Sequence, residues 1–111
     1  METINIGCAT YTQAQAIAIM RHHDSRDETY NLAAELIAAK LNIACKHSNS
    51  SCVSSAIAAA DAWLCQHPVG SGVRESSSAW RQIEATFETL QNYNEGELCA
   101  PRCHEDDNGD R

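Results

Sequence analysis

Six cysteines, Cys8, Cys45, Cys52, Cys65, Cys99 and Cys103, are spread through a chain of 111 residues. An even, dense set of thiols in a chain of one-domain length reads as a disulfide framework made in an oxidising compartment. A zinc site would instead show close pairs such as C-x2-C or C-x4-C, with a second pair to complete the ligands. Only Cys99 and Cys103 are close, and no second pair accompanies them. The framework matters because the rest of the chain packs thinly. Apolar residues make up 43% of the chain but aromatic ones only 5%, and alanine fills many of the helical seams. At about 25 cal/mol per Å2 of buried apolar surface such a core is modest for its length. Cross-links worth roughly 2–4 kcal/mol each then carry real weight.

Hydrophobic spacing predicts four helices. Thr3-Ile4-Asn5-Ile6-Gly7 alternates polar and apolar and reads as a short extended lead-in. Thr10 and Gln13 form a capping box that starts helix 1, which runs to about 21 with Ala14, Ile17, Ala18 and Met20 as its stripe. Ser25 and Glu28 form a second box, and Asp27 and Glu28 suit the positive end of helix 2, about 26–45. Leu32 or Ala33, Leu36, Ile37, Lys40 or Leu41, and Ala44 give that helix the clearest stripe of the chain. Helix 3, about 51–66, has a seam of Val53, Ile57, Ala60 and Leu64 flanked by Ala56 and Trp63, and Pro68 stops it. The Gly/Ser-rich stretch from Val69 to Ser78 is expected to be the longest loop and the most mobile segment. Helix 4, about 78–95, carries Trp80, Ile83, Phe87 and Leu90 and ends at Gly96. The expectation is an all-α, four-helix up-down bundle with disulfide staples, one domain over 1–103 and an acidic disordered tail over 104–111.

An up-down order places Cys8, Cys45, Cys52 and Cys99 at one pole, where Cα separations of about 4.4–6.8 Å let them pair among themselves. Cys65 lies at the other pole, about 24 Å away at 1.5 Å per residue. An extended tail from Gly96, at roughly 3.3 Å per residue, brings Cys103 to it. Geometry therefore expects Cys65–Cys103. It leaves Cys8–Cys45 with Cys52–Cys99, or Cys45–Cys52 with Cys8–Cys99.

Charge and length exclude two classes. Fifteen acidic residues against eight basic give a net charge of -7, the wrong sign for a nucleic-acid partner. No apolar run approaches the roughly 20 residues of a membrane span. Met1, Glu2, Thr3 and Asn5 lack the basic and apolar regions of a signal peptide, so export implies a leader removed upstream. Asn49-Ser50-Ser51 matches the N-glycosylation triplet and also any polar loop.

Several constellations carry chemistry. His22 and His23, with Asp24, Asp27 and Glu28, offer nitrogen and oxygen ligands at the helix 1–2 corner; His22, His23 and Asp27 are the candidate metal set. Cys99-Ala-Pro-Arg-Cys103-His104 is one residue longer than the haem-attachment pattern C-x2-C-H. Asp106-Asp107-Asn108-Gly109-Asp110 begins like a calcium loop, with its glycine one place early and no closing glutamate. Asp61 stands alone in an apolar run and is expected to pair with Lys40 or Arg81. Tyr11, Tyr30, Trp63, Trp80 and Tyr93 are candidates for an aromatic platform that takes a glycan or a protein, though rings on helix seams more often fill cores. No hydrolase triad, phosphate-cradling loop or H-E-x-x-H motif occurs, and no cofactor is expected.

The stretch Leu32-Ala-Ala-Glu-Leu-Ile-Ala-Ala-Lys-Leu-Asn42 resembles the most recurrent motif of a group of bacterial secreted and cell-surface proteins of uncharacterised function. Gly7-Cys-Ala-Thr-Tyr-Thr-Gln13, Ile57-Ala-Ala-Ala-Asp-Ala-Trp-Leu64 and Tyr93-Asn-Glu-Gly-Glu-Leu-Cys-Ala-Pro101 are similar to further segments of that group. The resemblance implies an extracellular helical module beside β-repeat or surface-anchor regions. It carries no catalytic residue. It also implies the pairing Cys52–Cys99, and with it Cys8–Cys45. Members of the group have an aromatic Gly-Tyr-Trp-Lys-type segment upstream, and this chain begins after it. The expected function is a non-enzymatic, disulfide-stabilised extracellular module for surface display or protein association. The alternatives are a small secreted metal- or haem-dependent enzyme and a self-associating subunit of an extracellular assembly.

Overall fold

The computed structural model describes residues 3–22, 26–46 and 53–95. They form a β-hairpin followed by five helices. The strands are β1 (Thr3–Ile6) and β2 (Ala9–Thr12). The helices are α1 (Gln13–Arg21), α2 (Glu28–Lys46), α3 (Ser54–Gln66), α4 (Ser78–Arg81) and α5 (Glu84–Asn94). The chain is mostly helical, as expected, but the lead-in is half of a sheet and the fourth helix is divided.

The hairpin follows from alternation on both strands. β1 and β2 run antiparallel with Ile4 opposite Tyr11 and Ile6 opposite Ala9. Ile4 and Ile6 share one face, and Ile6 is buried. On the other face the Thr10 hydroxyl donates to Asn5 Oδ1 at 2.6 Å. Gly7 and Cys8 make the two-residue turn, with Gly7 at φ +66° in the first position, which favours glycine. A lone two-stranded sheet is marginal in water. This one packs against α1, α2 and α3.

Because β2 uses residues through Thr12, helix α1 begins later than expected. The capping box is Thr12–Gln15, not Thr10–Gln13: Thr12 Oγ1 accepts from Gln15 N, and Thr12 N donates to Gln15 Oε1 at 2.8 Å. The buried face of α1 is then Ala16 and Ile19. Ile17 and Met20, read as part of the inward stripe, are exposed instead.

Helix α2 is the centre of the molecule. It packs against α1, α3, α5 and β1, and Leu32, Ala33, Leu36, Ile37 and Ala39 are all fully buried. Leu41, an alternative on the expected stripe, is exposed. At its start Asp27 Oδ1 accepts from both the backbone N–H (3.1 Å) and the hydroxyl (2.6 Å) of Thr29. Ser25, the expected cap, lies outside the described residues. The Gly/Ser-rich loop after α3 is tied to this same corner. Gly70 N donates to Thr29 Oγ1 at 2.9 Å, Glu28 N donates to the Val73 carbonyl at 2.7 Å, and Val73 is buried. The expected mobile segment is thus fastened to the first turn of α2.

On α3 the buried residues are Ala56, Ala60, Trp63 and Leu64, preceded by Val53, while Ile57 is half-buried. The seam is rotated toward the residues expected to flank it. Trp63 explains the division of the last helix. Its indole Nε1–H donates to the Ala79 carbonyl at 3.0 Å. In an unbroken helix that carbonyl would accept from Ile83 N, which here bonds to Trp80 O instead. Trp80 and Ile83 are both buried. Trp80 then meets Trp63 and Phe87 edge to face at centroid distances of 6.0 and 5.3 Å. Ser77 caps α4, accepting from Trp80 N.

Candidate functional site

The hairpin tip and the C-terminal end of α3 meet in a clasp. Cys8 is bonded to Cys65, with Cα atoms 4.7 Å apart. This replaces the expected Cys8–Cys45 and Cys65–Cys103 pairs; Cys52–Cys99 lies outside the described residues. The correction has a geometric cause. The expectation placed Cys8 beside the start of helix 1, but a four-residue strand carries it about 13 Å away, at 3.3 Å per residue, to the pole where α3 ends. Glycine at position 7 permits the approach: a Cβ there would sit 3.0 Å from the carbonyl carbon and Cβ of Leu64.

An ion pair completes the clasp. Lys40 Nζ lies 2.9 Å from Asp61 Oδ2 and 3.1 Å from Oδ1, and it also donates to the Asn5 carbonyl at 2.6 Å. Asp61 Oδ1 accepts from Gly7 N at 2.8 Å. Of the two bases expected for Asp61, Lys40 is the partner. The pair is partly exposed, at 23% and 30%, and all its groups serve to hold β1 to α2 and α3.

Two hollows flank α1. Ala16, Ile17 and Met20 on one side face Ile4, Ile37 and Leu41 across a groove of about 450 Å3, closed at its edge by Thr3 and Gln13. Ile17, Met20 and Leu41 are 41%, 37% and 40% exposed, and they are the large apolar side chains left open among the described residues. Among the described residues no charged one lines this groove. On the opposite flank, Gln15, Ala18, Ile19 and His22 of α1 face Tyr11, Tyr30 and Val69 across a shallower hollow of about 360 Å3. There the His22 ring stacks on Tyr30 at 3.8 Å between centroids.

The other expected site residues lie partly outside the described residues. Asp27 is buried and serves as the cap of α2, while His22 lies on Tyr30 and His23 is outside the described residues. No three His, Cys, Asp or Glu side chains converge as a metal set among the described residues. The haem-like and calcium-like motifs lie outside them. Of the aromatic platform, Trp63, Trp80 and Tyr93 are core; Tyr11 and Tyr30 remain half-open. Among the described residues no helix is long and apolar enough to cross a membrane.

One titratable group stands apart, between α2 and α5. Asn94 Nδ2 donates to the Glu35 carboxylate at 2.7 Å and to the Glu35 backbone carbonyl at 2.9 Å, and Asn94 Oδ1 accepts from Asn42. Burial pushes the Glu35 carboxyl above its ordinary range; the Asn94 hydrogen bond offsets part of this and the Glu95 charge adds to it. Its partners are amides that lock two helices together.

The apolar groove had a partial signal in the sequence: α1 is uncharged from Gln13 to Met20. The hollow on the other flank had none, because its walls come from three distant stretches. No protein-family model, curated protein or solved structure matches the chain.

Proposed function

We propose that this chain is a non-enzymatic, disulfide-stabilised helical module of an exported or cell-surface protein, and that it works by binding another polypeptide along the α1–α2 groove. In this reading α1, α2, α3 and the divided α4–α5 are the four rods of an up-down bundle, with the hairpin as an added clasp. The observation that carries the proposal is the convergence of Ile17, Met20 and Leu41 on one uncharged groove. Scattered exposed apolar residues are ordinary, whereas a contiguous set marks an interaction surface. A net charge of -7 favours a neutral or basic apolar segment over a second copy with the same charge. The six cysteines and the surface position of Cys8 and Cys65 support an oxidising location.

A photo-crosslinking residue at Ile17, introduced in the native host, is expected to give one discrete heteromeric adduct that Met20→Glu abolishes. An adduct of twice the chain mass would assign the groove to self-association. No adduct beyond that given by a crosslinker at exposed Ala58 would overturn the reading.

A further inference from the structure

We infer that the hollow on the other flank of α1 is a binding site for a neutral saccharide. It is separate from the apolar groove. At 100° per residue, Gln15, Ala18, Ile19 and His22 point away from Gln13, Ile17 and Met20.

The site is a pair of adjoining hollows that share Tyr11 and Val69 as walls. The larger, about 360 Å3, holds Gln15, His22 and Tyr30. The smaller, about 190 Å3, runs on past Leu64 and Pro68 to the Cys8–Cys65 bond. Tyr11 is the ridge between them, opposite Ile4 in the hairpin register. The disulfide therefore has a second consequence. It fixes the strand that carries Tyr11 against the end of α3, so both hollows are preformed, as small-molecule sites usually are.

The chemistry of the lining selects the ligand. A pyranose ring presents C–H faces that stack on aromatic rings and a rim of neutral hydroxyls that both donate and accept. Here the rings are Tyr11 and the His22–Tyr30 stack, which sets an imidazole on the phenol at 3.8 Å and leaves His22 exposed. The rim is polar: the phenols of Tyr11 and Tyr30, the imidazole of His22 and the Gln15 amide. Gln15 is oriented because its Oε1 already accepts from Thr12 N, which leaves the Nε2 hydrogens as the donors for a ligand. Among the described residues no Asp, Glu, Lys or Arg lines either hollow, so none of them offers a fixed counter-charge to a charged ligand in a chain of net charge -7. A proline-rich segment also stacks on aromatic grooves, but it brings no hydroxyls to the Tyr11 and Tyr30 phenols or the Gln15 Nε2 hydrogens.

The test is a titration of the 15N-labelled, oxidised full chain with three neutral trisaccharides (chitotriose, maltotriose, cellotriose), one uronic-acid trisaccharide and decaproline. At least one neutral sugar is expected to shift the amides of Tyr11, Gln15, Ala18, His22, Tyr30 and Val69 in a saturable way. His22→Ala and Tyr11→Ala are each expected to weaken it about three- to tenfold, the range of one stacked ring. Met20→Glu, on the other flank, is expected to leave it unchanged. His22 is exposed, so its variant tests the site even where Tyr11→Ala disturbs the hairpin. Saturable shifts with decaproline or the uronic acid alone, shifts elsewhere on the chain, or none with any sugar would overturn the assignment.

Discussion

Two glycines in the left-handed region have very different surroundings. Gly7 and Gly72 both have positive φ, +66° and +81°. A Cβ on Gly72 meets nothing within 4 Å, whereas one on Gly7 runs into the backbone of Leu64 and Cys65. Gly72→Ala is expected to cost only the backbone strain, about 1–2 kcal/mol. Gly7→Ala adds the displacement of α3 from the hairpin, for about 2–4 kcal/mol in all. Urea unfolding of the two variants checks this, and equal losses would remove the close approach from the account. Glu35 makes a second prediction. Its folded carboxyl holds its proton to higher pH than the unfolded one, so the native state binds more protons between the two values and loses stability as pH rises through them. Glu35→Gln keeps an oxygen for Asn94 and cannot ionise. It is expected to gain stability over the parent at pH 7 and to lose that advantage below about pH 4, near the ordinary range of a glutamate. Thermal melts across that range measure it.

At the level of elements, each misread boundary has a cause in a distant part of the chain. Thr10 and Gln13 satisfy the capping pattern, but Thr10 is held in β2 opposite Asn5, so Thr12 takes the role. The unbroken periodicity of Trp80, Ile83, Phe87 and Leu90 was a sound helical signal. What divides the helix is the indole of Trp63, which occupies the Ala79 carbonyl. Asp61 was the most legible of the tertiary contacts, since a single acid in an apolar run needs a base. Its second duty, accepting from Gly7 N, was not legible. Asp61→Ala leaves Lys40 with only the Asn5 carbonyl and that N–H without its acceptor, and is expected to cost about 1–3 kcal/mol. Asp61→Asn retains an acceptor for Gly7 and is expected to cost less than about 1 kcal/mol. If chemical denaturation ranks the two variants equally, the backbone hydrogen bond contributes nothing measurable.

For the molecule as a whole, the Cys8–Cys65 bond closes a loop across a sequence separation of 57, which spans α1, α2 and nearly all of α3. By chain entropy a loop of that size is worth about 4 kcal/mol, and the bond ties the tip of the hairpin to the end of α3. The double variant Cys8→Ser/Cys65→Ser is expected to lose up to that amount, and the amides of β1 and β2 to lose their hydrogen-exchange protection before those of α2. Unchanged protection in the strands would show that the Lys40–Asp61 pair and core contacts suffice. Tyr11 leaves its place if the hairpin opens, so this variant is also expected to weaken saccharide binding.

Local chemistry alone determined the helical class, the span and inward face of α2, the end of α3 before Pro68 and the pairing need of Asp61. Each is set by residues within a few turns of one another, or by a charge that burial forbids to stand alone. The partner of Cys8, the start of α1, the split before α5 and the two hollows were decided only in three dimensions. Each depends on which atoms of one segment arrive beside another, as when a four-residue strand carries Cys8 to α3 or the Trp63 indole reaches the Ala79 carbonyl.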